Sequence, residues 1–168
     1  TSQPARFILF KVLLSSKGRF PSIQSKEVVW SDYRNGDSEI YLYNISNGIE
    51  TRITNNPFNQ TNPSVYGNKI VWDDNRNGNL DIYFYDLDTG AETQITSSPA
   101  EERNPQVNWN SIFWERAEQD GKKIHYFNFA SGEEKTLNGI GNALSFYLDE
   151  ETVVMFLENQ GITNVYSV

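Results

Sequence analysis

Residues 70–96 read IVWDDNRNGNLDIYFYDLDTGAETQIT. Two runs rich in β-branched and aromatic side chains flank Asn77-Gly78, and Thr89-Gly90 follows the second. Asn-Gly between such runs is a strong hairpin signal, because both residues tolerate positive φ. The stretch therefore reads as strand, tight turn, strand, turn and strand. Working outward, a strand over 63–66 is expected first. Strands over 69–73, 81–87 and 92–96 follow, with Pro63 at the start of the first, where a missing N–H costs least.

The pattern recurs. Residues 28–54 read VVWSDYRNGDSEIYLYNISNGIETRIT. Trp30, Trp72 and Trp114 stand 42 residues apart, and one more step reaches Phe156. Pro21, Pro63 and Pro105 keep that step, as do Ile40, Ile82 and Ile124, and Gly48, Gly90 and Gly132. Four short strands per repeat of about 40–45 residues is the signature of propeller blades. Runs such as Ile82-Tyr83-Phe84-Tyr85 are apolar on both faces, as a sheet packed between two neighbours requires.

The expected fold is all-β: a single propeller domain over 1–168, with repeats at about 19–60, 61–102, 103–142 and 143–168. The last repeat ends after its third strand. The apolar segment 6–14 precedes the first repeat and is expected to be the missing fourth strand. It would pair with 164–167 and close a ring of four four-stranded antiparallel blades, removing exposed sheet edges.

Composition narrows the function. The chain has 168 residues, no cysteine and a formal charge of -8. Disulfides and thiolate metal sites are excluded. An acidic surface repels phosphate, so nucleic acid is not an expected partner. The apolar run at 7–14 is too short to span a bilayer as a helix. Membrane insertion is not expected.

The two quoted blocks resemble TolB-like propeller repeats. The likeness is specific in the first two repeats and fades over about three-quarters of the chain. It implies propeller architecture, frequent protein–protein interaction and an extracellular, periplasmic or cell-envelope setting. Members usually carry six or more blades, so the length departs from the pattern. Related repeats also precede hydrolase domains in some peptidases.

Asp73, Asn75, Asn77 and Asp81 fit D-x-N-x-N-G-x-x-D, a weak Ca²⁺ candidate. Phe84 stands where a bidentate Glu is needed, and Ser31 and Tyr33 replace two ligands in the first repeat. An Asn-Gly hairpin with polar decoration is the preferred reading of the loop, so no metal and no cofactor is expected. Asp32 and Arg34 recur as Asp74 and Arg76 and read as a turn-fixing ion pair or part of a binding rim. The pair reads as lost in the third repeat, where Arg116 replaces the Asp. His125, the only histidine, fills the slot of Tyr41 and Tyr83 and reads as a packing position. Adjacent carboxylates such as Glu133 and Glu134 point to opposite faces of a strand and do not converge. Trp109 replaces the Gly67 of the second repeat and is a ligand-contact candidate with Arg34 and Arg76. The expectation is a non-catalytic, monomeric binding module for a protein partner. A carbohydrate or small-ligand lectin-like propeller is the alternative, and a hydrolase accessory domain stands behind both.

Overall fold

The computed structural model describes residues 18–137, 142–148, 152–159 and 162–167. Among them there are fifteen strands and no helix. The first blade holds β1 (Gly18–Gln24), β2 (Glu27–Asp32), β3 (Glu39–Asn44) and β4 (Ile49–Arg52). The second holds β5 (Gln60–Tyr66), β6 (Lys69–Asp74), β7 (Asp81–Asp86) and β8 (Ala91–Gln94). The third holds β9 (Glu102–Val107), β10 (Ser111–Glu118), β11 (Gly121–Asn128) and β12 (Glu133–Leu137). The fourth shows β13 (Asn142–Leu148), β14 (Val153–Asn159) and β15 (Ile162–Ser167). Each sheet is an antiparallel meander in chain order, and the protein is a β-propeller. The expected closing strand at 6–14 lies outside the described residues.

The first strands of successive blades lie side by side at the axis, and the fourth strands form the exposed rim of each sheet. The second strands of the first three blades are buried on both faces, β6 from Ile70 to Asp74 without interruption. Their alternating side chains serve two neighbours. Ile70 and Trp72 pack back against Val29, Ile40 and Leu42 of the first blade. Val71 and Ile82 pack forward against Val107, Ile112 and Trp114 of the third. Trp30, Trp72 and Trp114 are at most 2% exposed.

The first strands begin earlier than the prolines suggested. β5 starts at Gln60, and Pro63 stands within a bulge between Thr61 and Ser64. Asn62 and Asn104 precede these prolines with φ of 50° and 54°. Asparagine enters this left-handed region more readily than most residues, and a bulge tolerates the missing proline N–H.

Side chains at the axis tie one blade to the next. Ser22 Oγ accepts from Val65 N (3.4 Å), and Ser64 Oγ from Val107 N (3.3 Å). In the third blade Gln106 replaces serine. It accepts from Leu148 N (2.8 Å) and donates to Phe146 O (2.9 Å). This series makes Leu148 the counterpart of Val65 and Val107, one residue short of the 42-residue step. The slip carries into β14. Val153 and Met155 face back into the core with Phe113 and Ile124, while Phe156 turns to the other face beside Tyr147. Met155, not Phe156, therefore fills the fourth tryptophan position.

Candidate functional site

An antiparallel meander places its turns at two ends. The loops between second and third strands share one end with the blade-to-blade connections. The hairpins between first and second strands occupy the opposite end with those between third and fourth. Arg34 and Arg76 belong to the former, Trp109 to the latter, so the three candidate contact residues are divided between two rims.

At the first rim each guanidinium is latched between strands. Trp72 Nε1 donates to Asp74 Oδ2 (3.1 Å), and Asp74 pairs with Arg76 Nη2 (2.6 Å). Arg76 Nη1 reaches Glu92 of β8 (2.7 Å), and its Cζ lies 4.1 Å from the centre of the Tyr83 ring. In the first blade Arg34 pairs with Asp32 (2.6 Å) and Glu50 (2.5 Å), 4.3 Å over Tyr41. Burial opposes the Asp32 charge, but hydrogen bonds from Arg34 and Trp30 together with the Arg34 charge hold its pKa below the usual carboxylate value. These arginines clamp their own blades.

The third blade keeps the latch with its charges transposed. Arg116 bonds Glu102 through Nε (2.6 Å) and Nη2 and reaches Glu134 through Nη1 (2.7 Å). The pair read as lost is thus rebuilt: Arg116 stands at the position of Asp74, Glu118 at that of Arg76, and Glu102 at that of Gln60. His125 stacks on Trp114 at 6.1 Å and 23°, as Tyr83 stacks on Trp72 at 6.2 Å and 21°. It also contacts Glu118 through Nε2 (2.9 Å) and Glu134 through Nδ1 (3.2 Å). One donor is left over. Trp114 Nε1 is buried without a partner, because arginine cannot accept the bond that Asp74 accepts.

The four candidate calcium ligands do not assemble. Asp74, not Asp73, lies opposite Asp81 across β6 and β7, which puts Asp73 on the other face. Asp73 accepts from Thr61 Oγ1, from Asn62 Nδ2 (2.7 Å) and from Asn104 N of the next blade (3.2 Å). Burial raises its pKa, against the opposing effect of these bonds. Asn75 Oδ1 accepts from Asn59 N (2.9 Å), and Asn77 Nδ2 donates to Asp81 (2.9 Å) and Tyr83 (3.0 Å).

At the second rim Trp109 is 56% exposed on the hairpin joining β9 to β10. Asn108 Oδ1 fixes that hairpin by accepting from Asn110 N (3.0 Å) and Ser111 N (2.8 Å). Trp109 borders a cleft of about 330 Å³ between the third and fourth blades, walled by Phe113, Tyr126, Leu137 and Val153. A second cavity, of about 880 Å³, opens along the axis and is lined by all four first strands. Sequence reading singled out Trp109 as a break in the repeat but missed both hollows, which exist only between blades. The 42-residue recurrence of Pro21, Pro63 and Pro105 was the available signal for the axial one.

No protein-family model matches the chain, and no curated protein matches it. Solved structures do, at probability 1.00. TolB from Acinetobacter baumannii superposes with a TM-score of 0.70 at 20% identity, over 89% of this chain and 40% of that one. The β-propeller domain of the Trilobed protease from Pyrococcus furiosus gives 0.66 at 18% identity, over 90% and 54%. Pyrococcus horikoshii acylaminoacyl peptidase gives 0.69 at 16%, over 92% and 26%. The chain has a TolB-like propeller fold and spans little more than half, or less, of these structures' own lengths.

Proposed function

We propose that the chain is a non-catalytic binding module of the TolB-like propeller type. It engages a protein partner through the rim that carries Trp109, in an extracellular or cell-envelope setting and as a monomer. The observation behind this reading is Trp109 itself: a large aromatic, more than half exposed, beside a cleft with an apolar wall. Tryptophan is enriched among residues that dominate binding energy. Arg34 and Arg76 are already committed to carboxylates of their own blades, which argues for a structural duty. No helix among the described residues is long and apolar enough to cross a membrane. The test is affinity for a partner identified by cross-linking. Trp109→Ala should weaken it by about 2 kcal/mol or more, while Lys135→Ala, on the exposed outer strand, leaves it unchanged. Equal affinities for wild type and Trp109→Ala would defeat the reading. Binding of a glycan panel at Trp109, with no protein partner, would favour the lectin-like alternative.

A further inference from the structure

The axial cavity has an unusual lining for so acidic a chain. The protein carries 22 acidic and 14 basic residues, yet none of the described residues lining this space of about 880 Å³ is charged. The volume falls within the range of small-molecule sites. The exposed Pro21 ring and the rings of Tyr66 and Tyr147 offer it carbon surfaces, while Pro63 and Pro105 line it as buried residues. Tyr147 is 66% exposed and Ile23 52%.

The polar lining divides into spent and unspent groups. The Ser22 and Ser64 hydroxyls and the Gln106 amide are used between blades. The Asn62 and Asn104 amide nitrogens are used on Asp73 and Glu115. Gln24 Oε1 accepts from Gly67 N (3.1 Å). Among the described residues, the carbonyl oxygens of Asn62 and Asn104, the amide nitrogen of Gln24 and the two tyrosine hydroxyls keep no protein partner. This is a mixture of acceptors, donors and hydroxyls that act as both, set among flat carbon surfaces.

From this lining we infer that the axial cavity is a binding site for a neutral oligosaccharide. Among the described residues a charged ligand would lose hydration there without meeting a counter-ion, a cost neutral groups avoid. A wholly apolar ligand would strand the unspent amides and hydroxyls. A neutral sugar presents hydroxyls that donate and accept at its edges and carbon–hydrogen faces that pack on proline and tyrosine rings. The cavity shares Asn108 with the Trp109 cleft, so the two readings are told apart by substitutions on either side of it, Tyr147 lining the cavity alone and Trp109 the cleft alone.

The experiment titrates isotope-labelled protein with maltotriose, cellotriose and xylotriose, and with trigalacturonate as the charged comparison. At least one neutral trisaccharide should shift the amide resonances of Ser64, Val65, Asn104 and Gln106. Tyr147→Ala, which removes an exposed ring, and Ile23→Trp, which fills the space, should each weaken binding tenfold or more. Trp109→Ala should not. Circular dichroism and melting of each variant confirm that it is folded. The inference is overturned if no neutral trisaccharide binds at millimolar concentration, if trigalacturonate binds as well as the neutral sugars, or if Trp109→Ala abolishes binding that Tyr147→Ala leaves intact.

Discussion

The guanidinium of Arg116 bridges Glu102 and Glu134 in the third blade as that of Arg76 bridges Asp74 and Glu92 in the second. Yet Arg116 stands at the sequence position of Asp74. The repeat conserves where positive charge sits in space, not which residue delivers it. Glu102 is fully buried, and burial raises its pKa against the pairing with Arg116. Removing the cation from a buried pair typically costs about 3–5 kcal/mol. Arg116→Asp should therefore destabilise by that order in a denaturant titration. Transposing the whole set (Glu102→Gln, Arg116→Asp, Glu118→Arg and His125→Tyr) should restore stability to within about 1 kcal/mol, since it rebuilds the second-blade latch and gives Trp114 Nε1 an acceptor. Failure of the fourfold variant to recover would show that the latches are not equivalent.

The slip in the fourth blade gives a sharper comparison. Trp72→Ala should cost about 3–5 kcal/mol, the usual range for a buried large aromatic. Met155→Ala should cost about 2–5 kcal/mol. Phe156→Ala should cost less than Met155→Ala, because Phe156 is only partly buried. The reverse order, read from melting or denaturant midpoints, would return Phe156 to the tryptophan series.

How much of this was legible beforehand depends on what repeats. The second strands could be read because Trp30, Trp72 and Trp114 keep one step and their neighbours are apolar on both faces. The bulges could not, since Pro63 marks a special backbone position without saying whether a strand begins there or passes through. Nor could the third latch. Arg116 and Glu118 reverse the order of Asp74 and Arg76, so alignment by residue type reports a loss where space shows an exchange. Trp109 was visible as a departure from Gly67, but its cleft depends on how two blades meet.

Two buried carboxylates should respond to pH with opposite signs. Asp32 has a lowered pKa, so its contribution to stability is present above the unfolded value of about 3.9 and fades as pH falls through the folded value. Asp73 has a raised pKa, so its contribution is present at low pH and is lost as pH rises through the folded value. Relative to wild type, Asp32→Asn should therefore be penalised more at neutral than at acid pH. Asp73→Asn should instead improve relative to wild type as pH rises from about 3.5 to 7. Denaturant midpoints across that range check both, and parallel profiles for the two variants would contradict the assignment.

Because Asp73 and Asn75 are committed to partners away from the Asn77–Asp81 pair, added calcium should find no assembled site there. Millimolar Ca²⁺ and a chelator should leave the melting temperature where it was. A calcium-dependent rise abolished by Asp73→Ala would mean that the loop rearranges to bind the ion.

The most direct test of binding at the Trp109 rim is site-specific photo-cross-linking in cells of the source organism. A benzophenone side chain placed at 109 reports on one end of the propeller. The same group at Phe58, which is 44% exposed on the connection between the first and second blades, reports on the other. The account predicts a discrete protein adduct from position 109 and none from position 58. A discrete adduct from 58 alone, or equal adducts from both, would contradict it.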